Sequence, residues 1–433
     1  MHKETKYLFP YNKLINQELN EQFAIDGIVP KYVFMPESIY ELQNIVKVCN
    51  VEKLSMIIDN RHTGSYVGNT LKRVDVVIDM KNINQVIDFQ PADLTVTVQS
   101  GVIVDTLQQT LKRESKNLAT DGPNLDKMSI GEILYSNTNG FLRNHYGLIR
   151  DSLIGLTVID NTGELIKSGG KVVKNVTGYD MNKLYVGSYG TLGIIAEATF
   201  KLSTLPLNES IILVPVESQQ QGLLMVSSMK YQPWGPSAGH CIYSNLLEDT
   251  GYKTFKPQTL VLYVDGREST IKRKINEITT SVSVDDITII SNDNCISAIK
   301  KINEINSESN LASSMRIRCN VPISNLKSFV FDVENLCQES DLVMFTDLLF
   351  GVCDIHCLNE ITDDNLLPLI NKIRDLTGSY EGNTILEKCS LSIKSQLDVW
   401  NSNNTDTMGL MKSIKSKFDP NNIFNPGRFC GGI

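Results

Sequence analysis

From residue 94 to 100 the chain alternates without a break, with Leu94, Val96 and Val98 on one side and Thr95, Thr97 and Gln99 on the other. Period two predicts a strand with one covered face. Residues 54–58 and 74–80 read as strands too. So does the run Leu192, Ile194, Ile195, Ala196, Ala198, Phe200 and Leu202, which Pro206 bounds. Helical spacing shows where Ser38 and Glu41 form a capping-box pattern and Ile39, Leu42, Ile45, Val46 and Cys49 share one face. A second helix is expected over about 105–114, and residues 153–160 and 164–167 form a hairpin around Asn161-Thr162-Gly163. Helix, strand, loop, strand, strand, helix is neither a doubly wound ladder nor a barrel, so the class is α+β.

Past Pro206 glycine thins, while lysine and serine rise. Strands at 211–216, 259–264, 315–321 and 343–349 alternate with helices near 219–230, 267–279, 325–337 and 365–376, which predicts an α/β sandwich of ferredoxin-like kind. A last helix, with Leu410, Met411, Ile414 and Phe418 on one face and Pro420 as its stop, leads to the C-terminus. The expected division is an arm over 1–29, a first domain over 30–206, a second over 207–404, and a segment 405–433 that returns to the first.

The 433 residues suffice for two domains. A net charge of −8, from 41 basic and 49 acidic residues, argues against nucleic acid or anionic lipid as a primary partner. Nine scattered cysteines without a CxxC pair suit a reducing, cytoplasmic setting, and no apolar run of membrane-spanning length occurs. Thirteen of the 28 glycines lie between 101 and 205, so backbone geometry shapes that quarter.

Gly187, Gly190 and Gly193 sit three apart and precede a strand, whereas a dinucleotide-binding G-x-G-x-x-G follows one. The blocks Gly169 to Asp180 (G-G-x-V-x-K-N-V-x-G-Y-D), Gly187 to Gly193 (G-S-Y-G-T-L-G), Ser129 to Gly140, Tyr146-Gly147…Arg150-Asp151, and the ending Phe418 to Ile433 resemble the flavoproteins with the PCMH-type FAD-binding fold. The ending is similar to that of the FAD-binding E subunit of glycolate oxidase. The resemblance covers about 30–206 and 349–433. It implies an FAD-binding domain of two subdomains under a cap, with FAD held noncovalently. The residues it marks for FAD are Arg61, His62, Thr63, Gly64 and Ser65 in a pyrophosphate loop, then Ser129, Ile130, Gly131, Asn137 and Gly140. Gly187, Gly190, Thr191 and Ile195 follow, and Asn425 and Arg428 complete the set, Arg428 as a cation beside reduced flavin. Glu132 stands where the family has a second glycine, and its side chain is expected to point outward.

Three further features bear on chemistry. Cys353, His356, Cys357 and Cys389 suggest zinc, but on an extended segment His356 and the cysteines point apart, so no metal is expected. On the same face Asp354 is placed to orient His356 as a base, or both are structural. Arg316 and Arg318 share one strand face, either gripping a substrate carboxylate or facing solvent. The expected function is an FAD-binding subunit of a glycolate oxidase-like 2-hydroxy acid dehydrogenase, working with a catalytic flavoprotein and an iron–sulfur subunit and reaching a membrane only through such partners. The alternatives are a stand-alone dehydrogenase of glycolate or D-lactate and a noncatalytic assembly subunit; the metal motif H-x-G-D-G-N-x-H of D-type relatives is not found.

Overall fold

The structure, a computed structural model, describes residues 21–59, 67–171, 179–244, 247, 252, 254–305, 314–359, 361–402 and 405–433. The first sheet has β1 (Tyr32–Phe34), β2 (Met56–Asp59) and β3 (Val76–Asp79) in the order β1-β3-β2, all parallel. Parallel strands need a crossover, and helix Ile39–Glu52 supplies it between β1 and β2. Ser38 caps this helix by accepting from Glu41 N–H at 3.2 Å. Leu42, Ile45, Val46 and Cys49 are buried, as their spacing predicts, and each large apolar side chain removed from water contributes about 1.5–3 kcal/mol.

The second sheet is antiparallel. It joins β4 (Val86–Gln90), β5 (Thr95–Gln99), β7 (Leu153–Ile159), β8 (Leu165–Gly169) and β9 (Ile194–Lys201) in the order β4-β5-β9-β7-β8, while β6 (Lys116–Asn117) pairs with β10 (Ser203–Thr204). Val96 and Val98 of the alternating segment are fully buried against Leu107 and Phe200.

The third sheet holds β11 (Asn208–Val216), β12 (Ala238–Tyr243), β13 (Gln258–Gly266), β14 (Thr288–Ser291), β15 (Met315–Asn320), β16 (Leu342–Asp347), β17 (Val352–Cys357) and β18 (Asn383–Lys388). Its order is β14-β11-β13-β12-β16-β17-β15-β18, antiparallel throughout. Each half runs strand, helix, strand, strand, helix, strand, with its fourth, first, third and second strands side by side. Two ferredoxin-like units are therefore fused edge to edge, where His240 and Cys241 of β12 face Asp347 and Thr346 of β16. The sequence pattern shows one such sandwich and not its repetition, because β12, β14 and β18 carry little alternation. Helix Asp293–Ile305, between the halves, is also unexpected.

Helices Gln219–Met229, Glu268–Val282, Leu326–Ser340 and Asp363–Ser379 cover one side of this sheet with a continuous apolar core. On the other side, Ile211, Leu213, Val261 and Tyr263 pack under helix Asp293–Ile305 and the pair Phe141 and Leu142. The chain then returns. Ile414 and Phe418 of helix Thr405–Phe418 join the core of the second sheet, and Ile423 and Phe424 are fully buried in that of the first. Leu410, placed on the inward face by its spacing, is exposed. The inward face carries Lys415 instead, whose Nζ bonds Asp419 Oδ2 at 2.6 Å and the carbonyls of Thr191 at 2.8 Å and Phe424 at 2.9 Å. A buried ammonium with three acceptors is satisfied, and it fastens the tail to the glycine turn.

Candidate active site

A cavity of about 280 Å³ lies where the second half of the large sheet faces the end of helix Ile130–Ser136 and the loop after it. Asn137, Gly140 and Arg143 line one wall; Arg316, Arg318 and Asp354 line the other. The strand register explains the second wall. Arg316 lies opposite His356 and Arg318 opposite Asp354 across β15 and β17, while Ile317, Cys319, Cys353 and Ile355 point into the helix-covered core. Both arginines thus share a face, as their spacing predicts, and that face is neither bulk solvent nor apolar core.

Their charges are matched within the protein. Arg318 makes a two-pronged contact with Asp354, Nε to Oδ1 at 2.8 Å and Nη2 to Oδ2 at 3.1 Å, and its Nη1 lies 2.9 Å from Glu387 Oε1. Arg316 Nε lies 2.9 Å from the other Glu387 oxygen. Burial alone would raise the Asp354 carboxyl; the Arg318 guanidinium outweighs it and holds Asp354 below the ordinary carboxylate value.

Of the two readings of Asp354 and His356, the geometry favours the structural one over the relay. Asp354 is committed to Arg318, and His356 is 1% exposed, edge-on to Phe345 at 4.9 Å and absent from the cavity wall. Burial drives the imidazole down to about 3, against the pull of Asp354. A base so weak is a poor match to a reaction near neutral pH. Cys353 and Cys357 sit in the core on the opposite face of β17, so geometry separates them from His356.

On the other wall, the expected FAD residues serve varied roles. Ser129 caps helix Ile130–Ser136 in a capping box with Glu132, whose carboxylate turns back onto Ser129 N–H at 2.8 Å; this is where the side chain replacing the glycine goes. Ile130 N–H and Gly131 N–H donate to the carbonyls of Val102 and Ser100, at 2.8 and 2.7 Å. Thr191 Oγ1 donates to Ser188 O at 2.7 Å, and Ile195 is fully buried with its N–H on Tyr135 OH at 2.7 Å. These groups build the cradle and do not line it.

Gly187 and Gly190 have φ of 75° and 68°, which favour glycine. At Gly190 a Cβ would come within 2.7 Å of Asn425 Nδ2, an amide that donates to Tyr189 O at 2.6 Å and whose Oδ1 accepts from Ile58 N–H at 3.3 Å. Close approach is required there by the C-terminal tail, in place of the ligand that the motif suggests. Arg428 likewise is tied down. Its Nη1 donates to Asp26 Oδ2 at 2.9 Å and Asn69 O at 3.0 Å, so its charge serves the tail and not an anionic ring. Arg61, His62, Thr63, Gly64 and Ser65 lie outside the described residues.

Two buried polar atoms beside the glycine turn, Asn137 Oδ1 and Ser188 Oγ, have no hydrogen-bond partner among the described residues. Asn137 holds φ 52° at the helix end, and the nearest atom to a Cβ on Gly187 would be Asn137 Cβ at 3.7 Å. Buried polar groups are seldom left unmet, so this corner fits a polar ligand. The cavity is at the small end of ligand sites, roughly 300–1,000 Å³, which suits a ring and a small substrate more than a whole dinucleotide.

A family model described as an FAD binding domain matches residues 30–169, and another, the C-terminal domain of FAD linked oxidases, matches 260–429. The first match takes in the parallel sheet and β4 to β8, and the second runs from β13 through the rest of the large sheet into the returning tail. The chain belongs to the FAD-linked oxidases of PCMH type. This flavoprotein is therefore an FAD-dependent oxidoreductase of α+β fold. The glycolate oxidase subunit GlcD of Bacillus subtilis is 26% identical over 426 residues, spanning 92% of this chain and 89% of its own. The glycolate oxidase subunit GlcE of Escherichia coli is 26% identical over 197 residues, 45% of this chain and 55% of that one. The structure of p-cresol methylhydroxylase with substrate bound superposes with a TM-score of 0.76 at 15% identity, over 98% of this chain and 95% of that one.

Among the acidic and basic side chains of this flavoprotein's cavity, four escaped the sequence reading: Arg143, His240, Asp347 and Glu387. Only Arg143 had a signal, its place between the block ending at Gly140 and the one beginning at Tyr146-Gly147. His240 Nε2 lies 3.0 Å from Phe141 O and 3.8 Å from Asp347 Oδ2. A carbonyl only accepts, so that nitrogen carries a proton, and in the neutral ring Nδ1 holds the lone pair. No helix among the described residues is long and apolar enough to cross a membrane.

Proposed function

We propose that this protein is a dehydrogenase of small 2-hydroxy acids such as glycolate or D-lactate, with noncovalently held FAD, acting within an assembly that passes its electrons on. The observation that carries the reading is the cavity itself, where a polar corner from the FAD-binding unit meets guanidiniums from both units. FAD supplies the two-electron acceptor for the hydride leaving the substrate's Cα. The chain's part is to exclude water, orient the acid and take the hydroxyl proton. His240 Nδ1 is the acceptor we assign, since Phe141 fixes the tautomer from the other side. Asn137 and Ser188 have open polar atoms for the cofactor.

The likeness to subunits of glycolate oxidase supports a partner-dependent enzyme. A catalytic flavoprotein and an iron–sulfur subunit are the proposed partners. The test is reduction of a dye acceptor by glycolate or D-lactate, with the purified protein alone and with candidate partners, after acid precipitation has shown whether the yellow colour is released. Colour retained in the pellet would refute noncovalent attachment. Turnover by the chain alone on the order of ten per second would refute partner dependence, and no reduction in any combination would refute the dehydrogenase.

A further inference from the structure

Three guanidiniums line the cavity, and they are not equivalent. Arg316 and Arg318 are closed by Glu387 and Asp354. The third cavity carboxylate, Asp347, accepts from the N–H groups of Leu349 and Phe350, each at 3.0 Å, and lies near His240. Arg143 comes from the opposite unit, on the short helix Arg143–Tyr146. Its Cζ sits 3.8 Å from the centroid of the Phe350 ring, whose loop Asp347 holds. Its Nε is buried without a hydrogen-bond partner among the described residues. A guanidinium stacked on an aromatic face is held in orientation while its edge stays free to donate.

Resting on the dehydrogenase reading, we propose that Arg143 receives the substrate's carboxylate, and that the Arg316–Glu387–Arg318–Asp354 network restricts the substrate to monocarboxylic 2-hydroxy acids. A carboxylate at Arg143 satisfies the unmet donor and adds the anion that its neighbour Arg318 also attracts. The far end of the substrate then faces Asp347, while Arg316 and Arg318, already paired with Glu387 and Asp354, offer no open site to a second carboxylate. Glycolate and lactate satisfy both conditions; a dicarboxylic 2-hydroxy acid satisfies only the first. Phe141, whose carbonyl lies 3.0 Å from His240 Nε2, is two residues along the chain from Arg143, and both Arg143 and His240 line the cavity.

The test uses the flavin-loaded protein and oxamate, a monoanionic analogue that is not oxidised. Calorimetric titration is expected to show oxamate binding weakened about 30-fold by Arg143→Met and about 3-fold by Phe350→Leu, with Arg143→Lys between them. Flavin content and thermal midpoint should stay near wild type, which separates a lost anchor from a lost fold. KM for glycolate should rise by the same factors with a smaller change in kcat, and the preference for glycolate over neutral glycolamide should collapse. Oxamate binding within twofold of wild type in Arg143→Met, or no oxamate binding by the wild type, would overturn the assignment. Arg143-dependent oxamate binding without turnover of any hydroxy acid would uphold the anchor and sink the dehydrogenase reading alone.

Discussion

The two halves of the large sheet share one topology and one helix-covered core, yet their opposite faces differ in kind. In the first half that face is Ile211, Leu213, Val261 and Tyr263 under a helix; in the second it is Arg316, Arg318, Asp354 and Glu387 around a cavity. The strand positions match. In β11 and β15 alternate residues feed the same core, Ile212 and Val214 in one, Ile317 and Cys319 in the other. What differs is what covers the outer face: helix Asp293–Ile305 packs on the first half, whereas the FAD-binding unit approaches the second without filling the gap. A repeated fold thus keeps most of one copy as scaffold, lending His240 on its edge strand β12 to the cavity, and leaves the other for chemistry, which is consistent with function residing in sites and not in folds.

The comparison is most sharply broken at Arg318. Arg318→Met should cost roughly 3–5 kcal/mol, because Asp354 is left charged and buried without its pair. Denaturant midpoints check it, and Arg318→Met with Asp354→Leu should recover most of the loss; if the double variant is no better than the single one, the pair is not the reason. In the first half the same measurement reads packing only. Leu213→Ala should cost about 2–5 kcal/mol by transfer and cavity terms, with flavin content and turnover per folded molecule unchanged. Altered KM for glycolate in that variant would show that the halves are not divided as described.

His356 tests the buried end of the charged face. Its folded value of about 3 lies below the ordinary 6.5, so the native state binds fewer protons than the unfolded one. The resulting stability is present above pH 6.5 and is lost as pH falls toward 3, by about 3 kcal/mol at pH 4. His356→Gln should flatten that acid limb of the stability profile. An unchanged limb would place the titration elsewhere.

Much of this was legible in the chain. The helix-side core follows from period two at Met315, Ile317 and Cys319, and the shared faces of Arg316 with Arg318 and of Asp354 with His356 follow from the same rule. The pairing was not. Period two says which residues share a face, but not that β15 and β17 are neighbours with Arg318 opposite Asp354, so sequence alone offers the aspartate only the nearby histidine as a partner. Gly190 and Arg428 teach a similar lesson. Their motif marks a place where chain segments approach closely, and the partners turn out to be Asn425 and Asp26, residues far along the chain. Arg143 and His240 could not be joined from sequence at all, because they come from different units. Even the buried Lys415, on a face read as apolar, is intelligible only once three acceptors from separate segments surround it.

The smallest expected effect lies at the seam between the inert half and the FAD-binding unit. Asp121 Oδ2 accepts from Leu142 N–H at 2.6 Å and from Asn303 Nδ2 at 3.2 Å, and Asn303 Oδ1 accepts from Phe141 N–H at 2.7 Å. Burial raises this carboxyl to about 6, more than those hydrogen bonds lower it. With a folded value above the unfolded 3.8, the native state holds the proton longer, so this group stabilises the fold most below pH 3.8 and loses that contribution as pH rises through 6. Asp121→Asn keeps an acceptor for Leu142 and Asn303 and removes the titration. The slope of stability against pH between 4 and 6 should change accordingly, by roughly 1–2 kcal/mol across the window, discounted because the side chain is partly exposed. Oxamate affinity should not move, since Asp121 holds the carbonyl-bearing loop from behind and no part of it lines the cavity. If affinity falls with the slope unchanged, the seam belongs to the site, and the division between scaffold and chemistry runs through the first half and not along its edge.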